Sequence, residues 1–233
     1  TYGRHLRIMS GCRNETACLS SQLDLFKGPC KQVSLERNAY VAHYPVSSMI
    51  GNGPLEFNVC ASPMYTDLSD TRLYLRCKMV DSQGADLPAG HNVAPVNMLF
   101  HALFRKLDVY LNNRQITQSH DYYPYKAGFE TILNFGTGAK ESQLASGLMY
   151  YKDKFDAVQN ANVGLATWKA KTESSKVFEL MGPLHVDLFF QEKYLLDDVS
   201  MRIILTRSQP NFYLHSTVDP GAKIIIENAT LFV

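Results

Sequence analysis

Long apolar runs are missing from this chain. No stretch approaches the roughly 20 residues needed to cross a bilayer, and the longest β-branched run is Ile224-Ile225-Ile226, so no membrane span is expected. Net charge is missing too. The 23 Lys and Arg balance 22 Asp and Glu to leave +1, which excludes a polybasic nucleic-acid binder or membrane-surface protein. The five cysteines, Cys12, Cys18, Cys30, Cys60 and Cys77, contain no CxxC or CxxxC pair. They read as reduced, mostly buried thiols of a cytosolic or nuclear protein, with a Cys12–Cys18 bridge left open. No two of the seven histidines stand three to five residues apart, as ligands on one helix would. Low-complexity tracts and internal repeats are absent. No signal-peptide pattern opens the chain, and its start at Thr1 reads as processing or truncation.

Apolar material is plentiful. Of 233 residues, 45% are hydrophobic and 11% aromatic, enough for one large domain, or two small ones, with a proper core. Period-2 alternation dominates its arrangement. Leu55, Phe57 and Val59 alternate with polar neighbours after the turn signal Gly51-Asn52-Gly53-Pro54. Leu73, Leu75, Cys77 and Met79 alternate with Arg72, Tyr74, Arg76 and Lys78. Strands are expected also at 107–111, with a turn at Asn112-Asn113, and at 184–190, 199–205 and 222–233. Each presents one apolar face to a core.

Helical spacing occurs at Val96, Leu99, Phe100 and Leu103, with Pro95 as first helical residue, and at Tyr125, Phe129, Ile132 and Leu133, with Gly136 at the exit. A short helix is expected within 139–148. Residues 1–30 read as an N-terminal arm ending at Lys27-Gly28-Pro29, and residues 31–233 as one domain. Within it, 149–182 read as a polar loop and about 120–182 as a helical and loop insertion. The fold class expected is all-β, a β-sandwich with short helical insertions.

Candidate chemistry is sparse. Gly136-Thr137-Gly138-Ala139-Lys140-Glu141-Ser142 lacks the spacing of a phosphate loop and reads as a turn between helices. His185 and Asp187 would share a face of a strand, and with His215 they would compose an iron-binding facial triad, with Arg207 available to a carboxylate co-substrate. The outward face of a half-exposed strand needs polar residues in any case. His101 reads as a hydrogen-bonded packing residue, and Asp67 and Asp70 as turn and capping residues. Of the two sequons, Asn14-Glu15-Thr16 and Asn228-Ala229-Thr230, the second sits in a run that looks buried. No catalytic residue, cofactor or metal is assigned, and the chain is expected not to be an enzyme.

Two stretches carry a resemblance. Asn97-Met-Leu-Phe-His101 through Leu107-Asp-Val-Tyr-Leu-Asn112 to Asp121-Tyr-Tyr-Pro-Tyr125, and Leu184-His-Val-Asp-Leu-Phe-Phe190 through Tyr194-Leu-Leu196 to Leu205, resemble the first half of double jelly-roll major capsid proteins of large eukaryotic DNA viruses. Ser21-Gln-Leu-Asp-Leu-Phe26, Pro54-Leu-Glu-Phe57 and Ala139-Lys-Glu-Ser-Gln-Leu144 narrow the likeness to the hexon-type capsid family of Polinton/Maverick elements and adintoviruses. The resemblance implies a jelly-roll subunit that assembles into an icosahedral shell as a pseudo-hexameric homotrimer. Copies of itself and penton or minor capsid proteins would be its partners. It implies a place in the virion, with assembly inside the host cell, in nucleus or cytoplasm. Family members carry two jelly rolls where this chain holds about one. A single jelly-roll penton or minor capsid protein, the iron oxygenase and a sugar-binding sandwich are the alternatives. The aromatic segments Tyr122, Tyr123, Tyr125 and Tyr150, Tyr151, Phe155 are the subunit contacts their composition suggests.

Overall fold

The structure, a computed structural model, describes residues 37–49, 51–91, 93–117, 120–150, 152–154, 162–216 and 221–233. The expected arm at 1–30, Tyr151 and Phe155 lie outside these residues. The sandwich belongs to the compact unit Tyr40–Val233.

Its strands are β1 (Ala42–His43), β2 (Leu55–Val59), β3 (Arg72–Val80), β4 (Val93–Pro95), β5 (Phe104–Leu111), β6 (Arg114–Gln115), β7 (Phe178–Gly182), β8 (Met201–Arg207), β9 (Leu214–Ser216) and β10 (Lys223–Phe232). Setting aside β4 and β9, which pair with each other, one set of pairings is nested: β5 with β6, β3 with β7, β2 with β8, β1 with β10, while β10 also pairs with β3 and β8 with β5. The nested set makes one long antiparallel hairpin. Its tip is Asn112-Asn113, both at positive φ (45° and 64°), the two-residue turn whose twist matches the strands it joins. Successive rungs alternate between two four-stranded sheets, β1-β10-β3-β7 and β2-β8-β5-β6, so the hairpin is rolled over on itself. That is a jelly roll.

Alternation places the core between the sheets. Leu73, Leu75, Cys77 and Met79 of β3 face Leu55 and Phe57 of β2, Leu107 and Val109 of β5, and Met201, Ile203 and Leu205 of β8 in one buried cluster. Each such side chain contributes about 1.5–3 kcal/mol by leaving water. In β10 the phase breaks: Ile224 and Ile226 are buried, and so are Ala229 and Leu231. Opposite β3 the register runs Ile226↔Cys77 and then Asn228↔Arg76. The extra residue, Glu227, is a β-bulge that returns the second half of the strand to the inner face.

The connections depart further from the sequence reading. Pro95 belongs to β4, opposite Leu214, and the helix after it, α1 (Leu99–Ala102), is a single turn with Leu99 and Phe100 fully buried. The expected second helix is α2 (Tyr123–Asn134). A one-turn α3 (Thr137–Glu141) and a 3-10 helix (Gln143–Gly147) follow, which disposes of the phosphate-loop pattern. The stretch 149–182 is no plain loop. It holds α4 (Val163–Thr172), whose Asn162 side chain accepts from the Leu165 N–H at 3.2 Å, and β7 against β3. Residues 184–190 form no strand. Leu184, His185 and Val186 are all buried and a 3-10 helix, Asp187–Phe190, follows. The β3 partner ends with Gly182↔Leu73, so no ladder remains to hold 184–190 extended. The last turn, α5 (Pro210–Tyr213), precedes β9.

Candidate functional site

The proposed metal ligands do not converge. His185 is buried, and its Nδ1 lies 2.7 Å from Glu130 Oε2 on α2. The exposed Asp187 carboxylate pairs with Lys126, and His215 sits on β9 opposite Ala94. Among the described residues no three His, Cys, Asp or Glu side chains are placed to hold an ion. Arg207 is likewise occupied: Nη1 donates to the Gly51 carbonyl at 2.8 Å and Nη2 to the Met49 carbonyl at 3.3 Å, tying down the β1–β2 connection. A cleft lined by Met98, His101, Thr131, Ser146, Met149 and Met181 offers about 30 Å³ of water-sized space, where a small-molecule site needs roughly 300 Å³ or more.

These polar groups fasten α2 to the sandwich. His101 Nδ1 meets the Tyr123 hydroxyl at 3.2 Å, and the His185 backbone N–H donates to the same oxygen at 3.4 Å. The His101 and His185 rings stand edge to face, 4.7 Å apart. Burial holds both imidazoles below the usual histidine range. Neighbouring His185 adds to the effect at His101, and Glu130 opposes it at His185. Burial likewise pushes the Tyr123 phenol upward. His101 is thus the packing residue its surroundings suggest. Asp67 caps the Leu68–Asp70 turn by accepting from the Ser69 N–H.

The outer side of α2 is different. At about 100° per residue, Tyr123, Ala127 and Thr131 share the arc that is buried. Tyr125, Phe129, Ile132 and Leu133, the residues with helical periodicity in the sequence, occupy the opposite arc and are exposed. Tyr122 precedes them, stacked on His120 with ring centroids 4.9 Å apart. Phe212 of α5 meets Tyr125 edge to face at 5.7 Å. The outer arc of the helix is thus apolar and exposed. A second exposed group, Tyr65 with Tyr194 and Leu196, flanks the isolated Thr66↔Leu195 bridge.

The sequence-derived contact residues therefore divide. Tyr122 and Tyr125 are exposed. Tyr123 and Tyr150 are buried within this chain and are corrected: Tyr123 turns toward His101 and His185, and Tyr150 packs on Gly164 and reaches the Pro95 carbonyl at 3.4 Å. Phe129, Ile132 and Leu133 join the exposed set. Their spacing gave the helix but not the side of it that would face outward.

No family model matches the chain. An uncharacterized protein of Caenorhabditis elegans, F54H12.2, is 21% identical over 189 residues, 77% of this chain and 41% of that one. Among solved structures, a chain of the Sputnik virophage, determined by cryo-EM at 3.5 Å, superposes with a TM-score of 0.58 at 11% identity, over 94% of this chain and 52% of its own. The fold is shared. The mavirus major capsid protein (TM-score 0.45, 10% identity, 94% of this chain and 51% of that one) and the PBCV-1 virus capsid (0.43, 8%, 87% and 44%) are more distant. The chain spans about half the length of the structures it matches, and less than half of the worm protein.

Proposed function

We propose that this chain is a structural subunit of a viral, or endogenous virus-derived, protein shell, acting by self-assembly and not by catalysis. The observation that carries the reading is the superposition of 94% of the chain onto 52% of a virophage chain. A match to one half leaves room for a second domain of equal size. That is the arrangement expected of the first jelly roll of a hexon-type protein, as the resemblance to Polinton and adintovirus capsids implies. In this reading three copies of the complete protein form a pseudo-hexameric unit of an icosahedral shell, in contact with penton or minor capsid proteins, in the virion. The chemistry agrees. The polar clusters are spent on fastening α2 and the loops, and the near-zero net charge limits repulsion between packed copies. Negative-stain microscopy of the purified product of the whole reading frame tests it. Trimers or regular particles are the expected result. Persistent monomers would overturn the assignment.

A further inference from the structure

An outward apolar face on a helix already packed through its other face departs from the usual surface helix, which turns charged and polar residues to water. The stripe comprises Tyr122, Tyr125, Phe129, Ile132, Leu133 and Phe212, exposed by between 38% and 80%. At roughly 200 Å² for each large side chain they present about 700 Å². The largest apolar patch on an ordinary monomer is about 300–600 Å², and a standard interface takes about 800 Å² from each partner. One helix and its neighbour thus supply nearly one side of a stable contact.

We infer that the outer face of α2 is a joint between copies of this chain, closed by burial of this stripe against a second copy. The inference rests on the shell reading for the identity of the occupant and goes beyond it in naming the surface. Three observations favour a copy as occupant. The arc holding Tyr125, Phe129, Ile132 and Leu133 carries no charged side chain, so no oppositely charged partner is called for. The charges on the flank, Lys126 and Glu130, are engaged with Asp187 and His185. The whole chain is at +1, so two copies meet without long-range repulsion. The stripe is also pre-organised: Tyr123 on the inner face and Lys126 and Glu130 on the flank hold α2 in place, which reduces the ordering cost of docking.

The test compares the wild type with a Phe129→Glu/Leu133→Glu double variant by size-exclusion chromatography with light scattering, alongside thermal melts. Both side chains project from the fold, so the melting temperature should not fall, while association should weaken by about a hundredfold or more. Leu133→Lys should weaken association as Leu133→Glu does, and Leu133→Met should retain it, which separates lost apolar contact from a charge effect. If the wild type associates and the double variant associates equally well, the joint lies elsewhere and the shell reading stands. If this chain stays monomeric while the whole product assembles, the cover is the remainder of the longer polypeptide and the inference is overturned. If neither associates, both fall together.

Discussion

Deleting Glu227 should be far more damaging than removing its side chain. Glu227 lies 3.2 Å from Arg76 in a half-exposed ion pair, a contact worth about 0–1 kcal/mol, so Glu227→Ala is expected to be nearly silent. The residue itself has a different task. It is the additional residue that lets Ile224 and Ile226, and then Ala229 and Leu231, all point inward. Without it the second half of β10 moves by one residue and turns Ala229 and Leu231 out, at a cost of about 3–4 kcal/mol in lost burial. The same move turns the exposed Asn228 in, where its amide without a partner costs a further 1–3 kcal/mol or so. The total, about 4–7 kcal/mol, is comparable with the whole stability of many domains. Urea unfolding followed by circular dichroism of wild type, Glu227→Ala and the deletion measures this. A deletion variant within about 1 kcal/mol of Glu227→Ala would show that the bulge does not set the register.

Three further outcomes are expected. Gly164→Ala places a methyl group 2.5 Å from Tyr150 Cδ2 and 3.1 Å from the Lys152 carbonyl, an overpacking that should cost about 1–3 kcal/mol in a chemical denaturation curve. Acidification should destabilise the fold. Burial keeps His101 and His185 below the ordinary value of 6.5, so the unfolded chain binds more protons. Stability is then fully present above that value and falls as pH drops through it, at up to about 1.4 kcal/mol per pH unit per histidine. Melting curves of His101→Phe and His185→Gln across that range should be flatter than the wild type's. Cys77 is buried in the core with its thiol pushed up to about 12, while Cys60 is exposed. Mass mapping after brief alkylation should find Cys60 modified and Cys77 modified only after unfolding.

The sheets were legible because their strands bury one face. The alternation in Leu73–Met79 and Met201–Leu205 is uninterrupted, and Asn112-Asn113 is a turn signal in its own right. The three-residue strands β4 and β9 were not legible, since a segment that short carries no period. At 184–190 alternation was present, yet three consecutive residues there are buried and, among the described residues, no partner strand adjoins. Tertiary context decided that segment. The site was half legible. Periodicity identified Tyr125, Phe129, Ile132 and Leu133, but not which side of α2 they would face. Packing turned Tyr123, Ala127 and Thr131 to the sandwich, where the Tyr123 hydroxyl meets His101 and the His185 N–H, contacts no periodicity reveals.

Sedimentation velocity of the wild-type chain, from sub-micromolar to hundreds of micromolar, bears most directly on the claim that this molecule is built to contact its own copies. Concentration-dependent species at integer multiples of 26.3 kDa are expected. A single 26.3 kDa species throughout would refute the joint at α2, and the shell reading with it where the product of the whole reading frame is monomeric too.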